Sequence, residues 1–78
     1  MNYQRMIRKD DYKLILFPEV PKKLFFDLKN DPLEMNDLSE EANQQARIVS
    51  LFQDLQQLQM DMKDTLNLEV IFPALSNL

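Results

Sequence analysis

Apolar and polar positions recur along this chain first with a period near two and later with a period near 3.6, so sheet precedes helix. Gln4 to Lys9 mixes β-branched, apolar and long basic side chains, Asp10-Asp11 punctuates, and Tyr12-Lys13-Leu14-Ile15-Leu16-Phe17 follows. That order predicts strand, turn, strand. Pro18 and Pro21 bracket Glu19-Val20 and stop the second strand, because proline cannot donate to a ladder and restricts the residue before it. Lys23 to Leu28 supplies a third strand. Beyond it, Asp31 caps a short helical turn over 32–36 begun by Pro32, with Glu34 in its first turn. Ser39 is the expected N-cap of a helix near 40–63, with Glu40 and Glu41 where the helix dipole favours negative charge. Its stripe is Ile48, Leu51, Leu55, Leu58 and Met62, widened by Ala42, Val49 and Phe52. Residues 69–72 read as a fourth strand ended by Pro73, and the last residues are expected to fray. The strands near 4–9, 12–17, 23–28 and 69–72 are joined by short connections, which favours an antiparallel arrangement over βαβ units. The expected fold is α+β, a small four-stranded antiparallel sheet packed against one long amphipathic helix.

The pattern carries an excess. From Leu14 onward the second strand is apolar at consecutive positions, so it offers apolar side chains to both faces of the sheet. One helix covers one face. Ile15, Phe17, Phe25 and Ile71 are expected on the other, forming a docking face that needs the rest of a larger chain, a second copy, or the segment Ala74 to Leu78 drawn across it. The chain therefore reads as a module of a larger protein, which self-associates when isolated.

Composition narrows the chemistry. Seventy-eight residues make one domain at most, and 45% hydrophobic with 28% charged residues is the balance of a folded chain. Cysteine and histidine are both absent, which excludes disulfides, thiolate zinc sites, nucleophilic thiols and every Ser-His-Asp arrangement. The longest wholly apolar stretch, Leu14 to Phe17, is far short of a membrane span. Net charge is −4, but residues 1–29 hold seven basic and four acidic groups (+3) while residues 30–78 hold two basic and nine acidic (−7). The two halves are complementary and are expected to pack beside one another. Arg5, Arg8, Lys9 and Lys13 form the one basic cluster, the candidate substrate-cleft or docking residues. A nucleic-acid groove needs a larger basic excess with interleaved aromatics, so none is expected.

Asp27, Asp31, Glu34 and Asp37 fall within eleven residues, which invites a calcium reading. Their spacing is wrong for an EF-hand loop, the chain has no glycine for its sharp turn, and turn and cap chemistry accounts for Asp31 and Glu34. Met35, Met60 and Met62 read as gap-filling core or rim residues. Nothing singles out a pair of carboxylates for acid/base work, and no catalytic, cofactor or metal residue is assigned.

Phe25-Phe26-Asp27-Leu28-Lys29-Asn30-Asp31-Pro32-Leu33-Glu34-Met35-Asn36-Asp37-Leu38 resembles the Leu-Tyr-Asp-Leu-x-x-Asp-Pro-x-Glu-x-x-Asn-Leu signature near the C-terminus of the sulfatase family. Upstream, Arg5 to Ile15 resembles that family's preceding hairpin, in which a basic strand leads to a Tyr-Lys pair. The resemblance covers roughly residues 4–64, with Asp27, Asp31, Pro32 and Glu34 as its turn. Phe26, Leu33 and Asp37 depart from the usual tyrosine, glycine and asparagine; Asp37 cannot supply an amide donor. The resemblance implies a C-terminal subdomain docked on a catalytic domain of alkaline-phosphatase type in the same parent chain, a sulfuric ester hydrolase, whose formylglycine arises from a Cys/Ser-x-Pro-x-Arg motif and works beside calcium. That motif is absent here, so the chain by itself is expected to be inactive. A secreted, periplasmic or lysosomal-type parent is implied, and a free-standing interaction or dimerisation module is the alternative.

Overall fold

The structure is a computed structural model that describes residues 4–19 and 22–76. Three strands, β1 (Arg5–Lys9), β2 (Tyr12–Phe17) and β3 (Lys22–Asp27), form an antiparallel sheet in the order β1-β2-β3. A 3₁₀ turn at Ala42–Gln44 leads into α1 (Gln45–Asp61), followed by two short helices, α2 (Leu68–Ile71) and α3 (Pro73–Ser76). Both hairpin strands and the third strand lie within a residue of where the period-two pattern puts them.

The fold class holds, but the sheet has three strands and not four. Residues 69–72 lie on and just beyond α2, and the cause is local. Asn67 is extended, and its side-chain oxygen accepts from Glu69 N at 3.1 Å and Val70 N at 3.4 Å, an N-cap that starts a helix where β-branched residues alone suggested a strand. Pro73 then opens α3, where its fixed φ and missing N–H suit the first helical position. The expected fraying at 77–78 and the bracket at Val20 and Pro21 lie outside the described residues.

Register decides which side chains are buried. The β2–β3 pairing sets Leu14 opposite Phe25 and Ile15 opposite Leu24. A two-residue loop closes β1–β2, with Lys9 opposite Tyr12. Leu14, Leu16 and Phe25 therefore share the inner face, where they meet Ile48, Leu51, Phe52 and Leu55 of α1, with Leu68, Phe72 and Leu75 closing the far side. All but a few per cent of each of these side chains is withheld from water. Tyr12 stacks on Phe25 with ring centroids 5.5 Å apart, and the Arg47 guanidinium sits 4.4 Å above the Tyr12 ring. Helix and hairpin are thereby tied by one column of side chains.

The helix departs from expectation at both ends. Ser39 does not cap it; its hydroxyl donates to Asp37 at 2.9 Å, and Gln45 Nε2 reaches back to the carbonyls of Glu41 and Ser39 instead. Ala42 lies exposed in the 3₁₀ turn ahead of α1, and Leu58 and Met62 are exposed because the last turns of α1 run past β1 with no strand beneath them among the described residues. Met35 and Met60 are exposed as well, so none of the three methionines fills the core.

Among the described residues the glycine-free chain takes positive φ at Asp10 (53°), Asp11 (65°), Glu34 (56°) and Lys63 (59°). Asp10 and Asp11 form the primed turn that matches the twist of the flanking strands. Lys63 is the left-handed residue of a Schellman stop: Asp64 N donates to Gln59 O at 2.8 Å and Lys63 N to Met60 O at 3.2 Å. No described helix is long and apolar enough to cross a membrane.

Candidate functional site

The side of the sheet turned away from α1 is set by the same register. Met6, Ile15 and Leu24 are successive cross-strand partners and form an apolar row across all three strands; Arg8, Lys13 and Phe26 form the next, and Phe17 faces Lys22 beyond. Met6 is 51% exposed, and Ile15, Phe17 and Leu24 are half-buried. No described element lies over this row. At its other end Phe26 is buried, and its neighbour Lys13 is paired with Glu34 at 2.7 Å, so the connector after β3 bends over that end of the face. The contact is ionic without hydrogen-bond geometry, since the buried Glu34 Oε1 has no hydrogen-bond partner among the described residues.

Of the four residues expected on the docking face, Ile15 and Phe17 are there. Phe25 is not: it is fully buried on the inner face, because the four-residue connection between Phe17 and Lys22 pairs odd-numbered positions of β2 with even-numbered ones of β3. Ile71 is not there either; it lies on α2 and packs against the core. Met6 and Leu24 take their places. Loop length would have revealed both, since it sets the parity of the register.

The basic cluster is divided between the faces. Arg5 and Lys9 point to the helix side, where Arg5 pairs with Asp64 through both Nε (2.5 Å) and Nη2 (3.2 Å) and Lys9 pairs with Asp54 at 2.7 Å. Arg8 and Lys13 are cross-strand partners on the outer face. The four do not converge on one ligand. Charge complementarity between the halves is realised as packing: strand cations meet helix and post-helix carboxylates.

Asp64 gathers three groups. Beside Arg5, it accepts from Leu66 N at 3.2 Å and from Gln59 Nε2 at 3.3 Å, and Gln59, itself buried, also donates to Leu66 O at 3.0 Å. The Arg5 guanidinium first, then the Leu66 amide, hold the Asp64 carboxyl at about 2, below its ordinary value of 3.8.

The connector is a chain of aspartate turns. Asp27 accepts from the Asn30 side chain at 2.8 Å and from Lys29 N at 3.2 Å, and the Asn30 amide is the main cause of its lowered pKa. Asp31 accepts from Met35 N at 3.0 Å and Asn36 N at 2.8 Å, while Pro32 sits at the second position of a turn closed by Glu34 N to Asp31 O at 3.0 Å. The expected helical turn over 32–36 is thus one reverse turn, ended by left-handed Glu34. Asp37 accepts from Phe25 N at 3.0 Å and Ser39 N at 2.9 Å, and Leu38 N donates to Phe25 O at 2.7 Å. Asp37 is the acceptor in each of its bonds to Phe25 and Ser39, so a carboxylate serves there without an amide. These last bonds seal the outer edge of β3. Among the described residues no group of three or more carboxylates is placed to hold a metal ion.

Compared with protein-family models, with curated proteins and with solved structures, the chain matches none.

Proposed function

We propose that this chain is the C-terminal structural module of a sulfatase, docking through its outer sheet face on a catalytic domain that hydrolyses sulfate esters. The observation that carries the docking is the Met6–Ile15–Leu24 row with Phe17: a continuous apolar strip on one side of a sheet whose other side already holds the whole core. A contiguous strip of this kind is the mark of an interface and not of scattered surface exposure. Fully burying a large exposed side chain is worth roughly 1.5–3 kcal/mol, and this strip, with Met6 half exposed and Ile15, Phe17 and Leu24 already half-buried, has a part of that still to gain on docking. The resemblance supplies the nature of the partner. Its turn residues Asp27 and Asp31, together with Asp37 where this chain departs from the pattern, form a self-contained brace that keeps the sheet edge closed, a role suited to a rigid accessory unit. Formylglycine and calcium belong to the proposed parent's catalytic domain.

The test is complementation in trans. A sulfatase catalytic domain truncated before its own C-terminal subdomain is expressed with this chain, and aryl sulfate hydrolysis is measured. Recovery of activity is expected, and Phe17→Lys or Ile15→Glu, with helix content intact by circular dichroism, should abolish it. Failure of the folded wild-type chain to restore activity, or recovery indifferent to both substitutions, would overturn the proposal.

A further inference from the structure

Among the described residues β1 pairs only with β2, and the alternation of an antiparallel ladder fixes which of its groups look outward. The two-residue loop makes Lys9–Tyr12 a hydrogen-bonded pair, so Ile7 is bonded to β2 as well, while the N–H and C=O of Met6 and Arg8 point to the open edge. The other edge of the sheet behaves as this parity requires: Phe25, the outward-looking residue there, is bonded to Asp37 and Leu38.

Beside the open edge runs a groove. Its floor is β1 near Met6, its wall is Leu55, Leu58, Gln59 and Met62 of α1 and its end, and the Arg5–Asp64 ion pair, its charges mutually compensated, closes the side between them. Leu58 is 41% exposed and Met62 73%, although the helix pattern marks both for burial. Methionine suits such a wall, being flexible and polarizable enough to fit varied side chains. Backbone groups in line, with apolar side chains alongside, are the two elements of recognition by strand addition.

Charge selects the occupant. β1 carries Arg5, Arg8 and Lys9 among five residues. Arg5 and Lys9 are held by Asp64 and Asp54 on the helix side, so pairing β1 with β1 of a second copy would set the Arg8 of each, without a carboxylate partner among the described residues, on the same outer face, where like charges on adjacent strands destabilise. Arg8 has no ion-pair partner among the described residues and has Lys13 as its cross-strand neighbour, so the outward side of this edge is positive. We propose that the β1 edge and its groove bind an extended acidic segment of a partner protein as an added strand, its apolar side chains against Leu58 and Met62 and its carboxylates beside Arg8. This edge is separate from the outer-face docking proposed above and does not rest on it.

The test uses the full chain, isotopically labelled, titrated with three capped hexapeptides. One alternates Glu with Leu or Val, one has Lys for Glu, and one is the acidic peptide N-methylated at alternate amides along one edge. The acidic peptide should bind and shift the amides of Met6 and Arg8, with at least tenfold weaker binding by the other two. Leu58→Lys should weaken the acidic peptide tenfold or more, and Arg8→Glu should reverse the preference toward the Lys peptide. Each variant is first checked for native helix content. Absence of binding at millimolar peptide, equal binding of acidic and basic peptides, indifference to N-methylation, or shifts confined to Ile15 and Leu24 would each overturn the proposal. So would Met6 and Arg8 shifts that follow protein concentration without peptide, which would assign the edge to a second copy.

Discussion

Replacing Lys63 by glycine should stabilise the protein, although it deletes a side chain from a helix end. Lys63 holds φ at 59° to close the Schellman stop after α1. A residue with a Cβ loses about 1–2 kcal/mol in that region, where glycine loses nothing. Against this, glycine raises the entropy of the unfolded chain, which costs about 0.4–1 kcal/mol. The exposed Lys63 side chain has no ion pair among the described residues that would be forfeited. The balance is a gain of roughly 0.5–1 kcal/mol, which for a domain of this size is about 2–8 °C in melting temperature. Met60→Gly provides the opposite sign three residues earlier: Met60 is exposed within α1, and glycine there should cost about 1 kcal/mol. Urea unfolding followed by helix circular dichroism at unchanged m would measure both. If both variants lose stability alike, the helix does not end at Lys63 in a left-handed turn.

Leu55 is 3% exposed beneath the sheet, so Leu55→Asp should bury an unpaired charge and cost several kcal/mol, against a total of about 4–12 kcal/mol for 78 residues. Gln56→Asp should cost far less, since it breaks one exposed bond to Glu69 and sets two solvated carboxylates near one another, and coincident thermal melts of the two would contradict this assignment of faces. Because the Asp64 pKa is depressed in the folded state, its contribution is fully present above 3.8 and is lost as pH falls from 3.8 toward about 2. Asp64→Asn should flatten the acid limb of the stability profile in that window, and an unchanged limb would remove Asp64 from the account. The isolated chain should hydrolyse no aryl sulfate above background, with or without calcium, and turnover by pure protein would refute its place as a non-catalytic module. In sedimentation across a concentration series the wild-type chain should self-associate through the outer face and Phe17→Lys should not; a wild type that stays monomeric throughout would show that the apolar row is too small to associate.

The hairpin was legible because its alternation and the Asp10-Asp11 break specify both strands and the turn between them. The docking face was only half legible. Ile15 and Phe17 follow from alternation within β2, but Phe25 depends on how β3 is paired, and a connection of even length shifts it to the core side. Periodicity places Leu58 and Met62 in the stripe, yet burial also needs something to pack against, and the described sheet ends at β1. In Leu68-Glu69-Val70-Ile71 four residues are too few for either period to dominate, so the Asn67 cap decided the outcome. The basic cluster divided because neighbours in a strand face opposite ways: Arg8 and Lys9 are adjacent in sequence and lie on different sides of the sheet.

The column Arg47–Tyr12–Phe25 gives the molecule a built-in optical gauge. The chain contains no tryptophan and only two tyrosines, so Tyr3→Phe leaves Tyr12 as the single phenol, held between a cation and a second ring from a different strand. Its near-ultraviolet ellipticity then reads whether α1 is seated on the hairpin, separately from the far-ultraviolet signal of the helix itself. With no native cysteine, one thiol introduced near the end of α1 could carry a dye without competing labels, and the two signals together would distinguish a helix that lifts off intact from one that melts in place.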